Sequence, residues 1–332
     1  MKSRITQLLL MLILCAAIPV SAQKIVLQHD GEMTFFEKGD MPLALEKSVA
    51  NDTIFLPETI IPGNFTVTKD VTIMGCGEKS VINGNVIIAP EDETQWQNVL
   101  LDGVRITGDM YSTKPTNGLH LRNSWIDGAY QPDHKDVSRD IKNIMFESCQ
   151  FNKPVYFLDE TKNVTFLNCI LSTVKGGISN VVWQPGEVIL INCTITSYAN
   201  SSLHNLCAIN SIFYDPNGSQ SFDHSDDSVF QNCLILRRGG VNPLGKGHYT
   251  DCLFDDDEEF FKDHEFGVFT KEILTEHNCF GNDGTVMGHL GGFGFSLEPS
   301  LPFIKEKELK ADNGTGELKV HLVIGGIKTE EE

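Results

Sequence analysis

Asparagine and cysteine stand side by side at residues 168–169, 192–193 and 232–233. Cysteine thiolates bind zinc and carry redox chemistry, yet the chain contains no CxxC pair. Eight cysteines follow residue 23, and an even number in an exported chain commonly predicts disulfides. Their regular spacing instead favours a repeated structural position that is occupied by free thiols.

A second set of residue types suits carbohydrate contact. It consists of Asp102, Arg105, His120, Arg122, Trp125 and Glu147. Asp102, Arg122 and Glu147 recur at equivalent positions of the repeat described below, and Trp125 supplies an aromatic platform for a sugar ring. We interpret this set as a candidate ligand-binding group. A solvated ladder of alternating charges is the alternative interpretation.

Asp102 and Glu147 are also the carboxyl groups that could form a catalytic pair. Two strand spacings, ~9.6 Å, would separate Asp102 from Glu147, near the upper limit for an inverting glycosidase. Because Arg122 would lie between them and lower both pKa values, neither carboxyl group is suited to act as a general acid.

Four longer loops carry the remaining candidates, at residues 128–140, 172–186, 214–228 and 237–248. If the loops lie at one corner, their polar and aromatic residues line one groove. Candidate catalytic residues are Asp223, His224, Arg238 and Lys246, and candidate ligand contacts are Tyr130 and Trp183, with His134 nearby. Candidate Ca²⁺ ligands are Asp223, Asp226 and Asp227, although this loop lacks the spacing and the glycine of a known calcium loop.

Polar loop tips without a function are the alternative interpretation of all these loop residues. The acidic run 255–259 is interpreted as a solvated turn.

An internal repeat explains the spacing of these residues. One column reads Gly103, Asn123, Ser148, Asn168, Asn192, Asn210, Asn232 and Asp251. The next column reads Val104, Ser124, Cys149, Cys169, Cys193, Ser211, Cys233 and Cys252. Apolar residues alternate on both sides with opposite phase, which predicts a strand, a one-residue bend and a second strand. A period near 20 residues predicts a solenoid, here an all-β parallel β-helix whose repeating unit we call a rung.

Within a rung, asparagine is predicted at the bend, with its amide hydrogen-bonded to the next rung. Cysteine is the small apolar residue just inside the bend. In-register parallel strands aim neighbouring sulfurs in the same direction, which disfavours disulfides.

The middle and late rungs are apolar outside as well as inside, which is typical of a covered sheet. We therefore expect residues 293–324, or another chain, to lie on Ile191, Ile209 and Val229. An apolar ligand is a further alternative, and association into oligomers through these outward faces is a possible consequence.

Both ends of the repeat resemble a known family. A helix pattern near residues 41–50 precedes Asp52-Thr53-Ile54 and a strand that closes on Gly75 and Gly77. This order resembles the start of pectin-lyase-like, right-handed parallel β-helix proteins, and "DGTVMGHLGG" (283–292) is similar to the closing segment of many bacterial secreted members. The resemblance implies an N-terminal helical cap and a C-terminal covering segment. Hydrolases of this family carry paired aspartates and Gly-His-Gly, whereas this chain has "GKGH" at 245–248.

The first residues predict export. Lys2 and Arg4 precede a short apolar run that ends in "VSA", so residues 1–22 are expected to form a signal peptide. Its removal changes the net charge from −19 to −21, which argues against nucleic-acid partners and against acidic polysaccharides. No later segment is apolar for long enough to span a membrane.

The chain is expected to divide into three parts after the signal peptide. Residues 23–50 form a strand and a capping helix, residues 51–255 form the β-helix, and residues 256–332 form a tail packed on the solenoid.

The sequence favours a non-catalytic module that binds a polysaccharide or glycoprotein, or assembles at the periplasm, the cell surface or outside the cell. The alternatives are a polysaccharide lyase or glycoside hydrolase of the pectin-lyase-like type, and a structural envelope component. No cofactor is firmly predicted apart from the possible calcium ion.

Overall fold

A computed structural model describes most of the chain between residues 24 and 325. The described ranges are 24–92, 95, 97–131, 141–156, 161–172, 174–175, 188–196, 206–215, 228–238, 247–300, 303–312 and 317–325. Strands make up 45% of the structure and helices 9%, which confirms the all-β prediction. The strands coil into a parallel β-solenoid of about 7 turns, as the repeat predicted.

Three sheets form the walls of the solenoid, and within the described ranges they contain 12, 10 and 6 strands. In spatial order, sheet A consists of Glu32–Phe36, Ile25–His29, Thr53–Phe55, Thr72–Met74, Val99–Asp102, Thr116–Arg122, Ile141–Glu147, Thr161–Leu167, Val188–Ile191, Leu206–Ile209, Val229–Gln231 and His248–Thr250. Sheet B consists of Ile60–Pro62, Val81–Asn83, Arg105–Ile106, Trp125–Ile126, Gln150–Phe151, Ile170–Leu171, Thr194–Ile195, Ile212–Asp215, Leu234–Arg237 and Leu253–Asp256. Sheet C consists of Phe65–Val67, Val86–Ile88, Met110–Ser112, Tyr130–Gln131, Val155–Tyr156 and Val174–Lys175.

Short helices and a separate hairpin complete the described structure. The helices are Met41–Lys47, Asp257–Phe260 and Lys271–Glu276, with one 3₁₀ turn at Gly77–Lys79. Phe303–Asp312 and Glu317–Gly325 pair with each other in antiparallel orientation. Among the described residues, no helix is both long enough and apolar enough to cross a bilayer.

From the strand Val99–Asp102 onward, each rung passes from sheet A to sheet B through a single left-handed residue. All members of the predicted bend column have positive φ, from 48° at Asn123 and Asn232 to 65° at Gly103. Glycine and asparagine tolerate this conformation better than other residues do. Because one residue reverses the side-chain phase, the apolar positions on both sides of it point into the same core. The predicted bend is therefore confirmed.

The interior is a stack of like residues. Leu101, Leu121 and Phe146 are in register on neighbouring strands, and the rings of Phe146 and Phe166 stack with centroids 4.6 Å apart. The eight cysteines that follow residue 23 are all free in the described structure. Cys149, Cys169, Cys193 and Cys233 are fully buried. Burial raises the pKa of the Cys169 thiol well above its usual value, so the ladder is a column of neutral thiols inside the core.

The bend amides have a different role from the one predicted. The Asn168 side chain donates to the carbonyl oxygens of His289 and Gly291 at 3.1 and 2.6 Å. The Asn210 amide donates to Asn282 at 3.0 Å. These amides therefore hold residues 281–300 along the outside of the bend, instead of forming a continuous ladder between rungs. A direct amide-to-amide hydrogen bond between rungs does occur elsewhere, within sheet A, where Asn163 donates to Asn143 at 3.0 Å.

The C-terminal segment covers a different wall from the one we predicted. Residues 257–287 form an apolar cluster with the outward-facing Ile212, Leu234 and Leu236 of sheet B. Val229 of sheet A remains 39% exposed, and Ile191 and Ile209 are partly exposed. The described tail up to residue 300 therefore packs on sheet B and along the bends, and cover of Ile191, Ile209 and Val229 by residues 293–324 or by another chain stays a prediction. The covering segment itself is confirmed.

The N-terminal end of the core is closed by local elements. Met41, Ala44 and Leu45 are the buried residues of the predicted helical cap, which is confirmed. Ile25–His29 pairs in antiparallel orientation with Thr53–Phe55 of the first rung. His29 lies 2.8 Å from the buried Asp52, which also accepts a hydrogen bond from the Val49 amide.

The tail attachment can be tested with two glycines that share positive φ. A Cβ at Gly292 would overlap the Asn192 amide in the bend, whereas a Cβ at Gly294 meets nothing within 4 Å. We expect Gly294→Ala to lower the free energy of unfolding by about 1 kcal/mol through backbone strain alone. Gly292→Ala should cost about 1–3 kcal/mol more, because the added methyl group displaces a buried amide. Chemical denaturation measures both values, and equal losses would contradict the tail attachment.

Candidate functional site

The carboxylate of Asp102 is buried at the edge of sheet A and is fully engaged. It is 1% exposed and lies 2.7 Å from the Arg122 guanidinium, and the Asn123 amide donates to it at 3.0 Å. A buried carboxylate that already accepts from these donors is not available to a ligand. Asp102 therefore stabilises the rung and does not form part of a binding surface.

Glu147 is paired in the same way. His120 Nε2 lies 3.2 Å from its carboxylate, and this hydrogen bond lowers the pKa of Glu147. Arg122 lowers that pKa further. Glu147 is therefore ionised at neutral pH and is unsuited to donate a proton to a leaving group. The six predicted ligand-binding residues thus divide into a self-compensated charge cluster on sheet A and a second group on sheet B.

The sheet B group is organised around Trp125. Arg105, Trp125 and Gln150 are in register on successive strands and are partly exposed. The Arg105 guanidinium carbon lies 5.2 Å from the centre of the Trp125 ring, and its Nε lies 2.8 Å from Asp127. The indole ring of Trp125, the aromatic platform predicted from the sequence, thus has the Arg105 guanidinium stacked on one face. The ion pair between Arg105 and Asp127 fixes the position of that guanidinium.

A second row of polar side chains follows one residue beyond each apolar inward position of sheet B. Thr107 donates to Asn83 at 3.0 Å, and Asn152 donates to Asp127 at 2.8 Å. Gln150 in turn donates to Asn152 at 3.0 Å. We call the two rows together the polar face, which consists of Asn83, Arg105, Thr107, Trp125, Asp127, Gln150 and Asn152. Sequence alignment identified only Arg105 and Trp125, because the other side chains are common in turns and carry no signal of their own.

The polar face is neutral, rigid and open. Arg105 and Asp127 compensate each other, and the remaining members are amides, a hydroxyl and an indole. Its side chains stand on parallel strands, so their spacing is set by the backbone ladder, near 4.8 Å per rung. The C-terminal cluster packs on the later strands of the same sheet, at Ile212 and Leu234. Among the described residues, the C-terminal cluster therefore covers the later, apolar strands of sheet B and does not cover the polar face.

Tyr130 is not a groove residue. Its side chain is fully buried, and its ring packs edge-on against Phe146 with centroids 4.9 Å apart. Tyr130 belongs to sheet C, where the alternation turns it into the core. The prediction that it contacts a ligand is therefore wrong.

Most of the loop candidates cannot be placed. Arg238 lies on the surface, 3.1 Å from the Glu258 carboxylate. Six other candidates from the loops fall outside the described residues: Trp183, Asp223, His224, Asp226, Asp227 and Lys246. His134 also falls outside them. Within the described part of the chain, no cluster of three or more His, Cys, Asp or Glu residues is arranged to hold a metal ion.

One buried acidic residue was missed in the sequence. Asp257 is 0% exposed, and among the residues that the structure describes neither of its carboxylate oxygens has a hydrogen-bond partner. Burial and the adjacent Asp256 raise its pKa. The interpretation of residues 255–259 as a solvated turn is therefore wrong for Asp257, because the helix Asp257–Phe260 packs against sheet B and turns this side chain inward.

No protein-family model, curated protein or solved structure matches the chain.

The buried Asp257 predicts an inverse dependence of stability on pH. A carboxyl group whose pKa is raised in the folded state above its ordinary value of 3.8 binds more protons when folded than when unfolded. Its contribution is therefore fully present in acid and is lost as the pH rises through the folded pKa. We expect Asp257→Asn to be more stable than the parent protein at neutral pH and to lose this advantage in acid.

Thermal unfolding between acid and neutral pH measures the effect. Glu259→Gln is the matched control, because Glu259 belongs to the same helix but is exposed beside Lys262. Identical pH profiles for Asp257→Asn and Glu259→Gln would contradict the buried, unpaired state of Asp257.

Proposed function

We propose that this chain is an exported, non-catalytic β-helix module that binds neutral glycans on its polar face. The observation that carries the proposal is the hydrogen-bonded row on sheet B, in which an indole, a guanidinium and several amides stand on consecutive rigid strands. Sugars are recognised by apolar contact with an aromatic ring together with planar donors and acceptors that bind their hydroxyl groups.

The charge of this surface favours a neutral ligand. The polar face has no net charge, because Arg105 pairs with Asp127 at 2.8 Å. The whole chain carries a net charge of −19, which repels uronate polymers at long range. A linear polymer suits the arrangement, because polar side chains recur along the solenoid at the spacing of its rungs.

Two features support binding without catalysis. Asp102 is buried against Arg122, and Glu147 is held ionised by His120. Neither carboxyl group is suited to the role of general acid, and neither belongs to the polar face. A lyase or hydrolase of the pectin-lyase-like type is the alternative. It depends on loop residues such as Asp223 and His224, which lie outside the described residues, as do the proposed Ca²⁺ ligands.

Kinship with the pectin-lyase-like β-helix proteins is part of this proposal. It is supported by the helical cap at Met41–Lys47, the strand at Thr53–Phe55 and the left-handed bends that join sheets A and B. Export is supported by the apolar run after Lys2 and Arg4. Location at the periplasm, the cell surface or outside the cell follows from export, and an envelope role is a further alternative.

Affinity electrophoresis in gels that contain neutral, acidic or amino polysaccharides tests the proposal. We expect a neutral polysaccharide to retard the protein and Trp125→Ala to weaken that retardation by about tenfold, which is about 1.4 kcal/mol. Asn152→Ala should weaken it less, because one amide contributes less contact than an indole does.

Phe293→Ala is the matched control, because Phe293 is 95% exposed but lies on the C-terminal segment rather than on sheet B. Equal retardation of the parent protein and Trp125→Ala would overturn the assignment of the polar face. Release of shorter sugars, or new ultraviolet absorbance from unsaturated uronate, would overturn the non-catalytic part.

A further inference from the structure

The first edge of sheet A carries exposed apolar side chains. The strand Glu32–Phe36 lies at the end of this sheet, and among the described residues no strand pairs with its outer edge. Met33 is 58% exposed and Phe35 is 60% exposed, and both point outward, because the next residue in the alternation, Phe36, is buried. Such an edge is a site for pairing with another strand. By contrast, the first strand of sheet B, Ile60–Pro62, ends in a proline, which discourages pairing.

The hairpin register determines which backbone groups this edge offers. The turn of residues 30–31 has positive φ at both positions, 47° and 85°, and closes on a hydrogen-bonded pair of residues. Because hydrogen-bonded pairs alternate along an antiparallel ladder, Thr34 directs its N–H and C=O groups to the inner strand. The N–H and C=O groups of Met33 and Phe35 therefore point away from the sheet, at its free edge.

These groups fit the same edge of a second copy. When two copies pair in antiparallel orientation about a two-fold axis at Thr34, Met33 of each copy faces Phe35 of the other. Each of these pairs then exchanges both of its N–H···O=C hydrogen bonds. Their apolar side chains also lie side by side on the outward face. The strand is therefore complementary to itself, as a two-fold interface requires.

The charges of the segment match in the same register. Glu32 of one copy lies opposite Phe36 of the other, and the Lys47 ammonium stands 5.6 Å from the centre of that Phe36 ring. Each Glu32 carboxylate is thereby brought to a lysine of the other copy. Extension of the register by two residues brings Asp30, whose side chain is 92% exposed, opposite Lys38 of the other copy.

The other charged residues beside the strand leave this match intact. Glu37 lies 3.0 Å from Lys24 of its own copy. Asp40 stands at the N-cap of the helix Met41–Lys47, beyond the end of the paired strand. Along residues 30–38, no two like charges therefore lie opposite each other.

We propose that the edge strand Glu32–Phe36 joins two copies of this chain about a two-fold axis at Thr34, so that sheet A continues from one solenoid into the other. Because both copies use the same edge, association ends at the dimer. The inference does not depend on the polar face, which lies on sheet B.

Exchange of charges between two variants tests the proposal. Glu32→Lys brings two lysines together at the contact, and Lys47→Glu brings two carboxylates together. We expect the parent protein to dimerise with rising concentration in sedimentation velocity, and each variant to dimerise at least about tenfold more weakly. An equimolar mixture should recover the dimer, because every lysine at the contact then faces a glutamate.

Phe293→Lys is the control, because it places a lysine at a 95% exposed position of the C-terminal segment and should leave the dimer unchanged. A parent protein that is monomeric at every concentration would overturn the proposal. So would a mixture that associates no better than the single variants, although both of them unfold cooperatively.

A cysteine in the strand tests the register directly. Thr34→Cys places a thiol at the two-fold axis, where the Cα atoms of a non-hydrogen-bonded pair stand about 4.5 Å apart, within disulfide range. We expect mild oxidation to give a dimer that a reductant dissociates, above the background from the thiols of the parent protein. Met33→Cys is the matched control, because the two copies of that position are diagonal neighbours, about 7–8 Å apart. Cross-linking through Met33→Cys in preference to Thr34→Cys, or through neither, would contradict the pairing.

Discussion

The left-handed bend between sheets A and B is the constraint on which the rest of the structure depends. Side chains along a straight strand point alternately into and out of the core. The bend residue with positive φ shifts this alternation by one residue, so the apolar side chains of the next strand also point into the core. Few residue types adopt that conformation at low cost. The positions of Gly103, the asparagines and Asp251 therefore determine where each rung turns. With the turns in register, the aromatic and thiol columns stack without gaps.

The bend also organises the outer surface. Asn168 and Asn210 direct their amides away from the core, where they hold the C-terminal segment by its backbone and side chains. That segment packs on the late strands of sheet B and leaves the early strands uncovered. The partly exposed polar row around Trp125 is thus a part of sheet B that the described tail up to residue 300 does not cover. The bend residues, through the tail that their amides hold, therefore determine which part of the outer surface remains available for binding.

The sequence predicts the parts of the fold that repeat, because equivalent positions of successive rungs have the same physical requirement and therefore carry similar residues that align. The bends, the buried thiols and the strands on both sides of them follow from the alignment alone. Tyr130 was misplaced because it belongs to sheet C, beyond the aligned window, where no column defines the phase. Asp257 and the path of the tail depend on contacts between segments far apart in sequence, such as Asn168 with Gly291. Only Arg105 and Trp125 of the seven polar-face residues were recognised, because Asp127 and Asn152 gain their significance only from their neighbours on adjacent strands.

The column of free thiols has a consequence for the order of events during maturation. Eight unpaired cysteines allow 105 fully paired disulfide patterns, and none of them occurs in the folded chain. In an oxidising compartment, the protection of Cys149, Cys169 and Cys193 comes only from their enclosure between rungs. Coiling must therefore outpace oxidation, since a cross-link formed early would fix the wrong pair of rungs together. If the chain is exported, as we propose, these buried thiols make the newly translocated chain dependent on rapid closure of the solenoid or on a reductant.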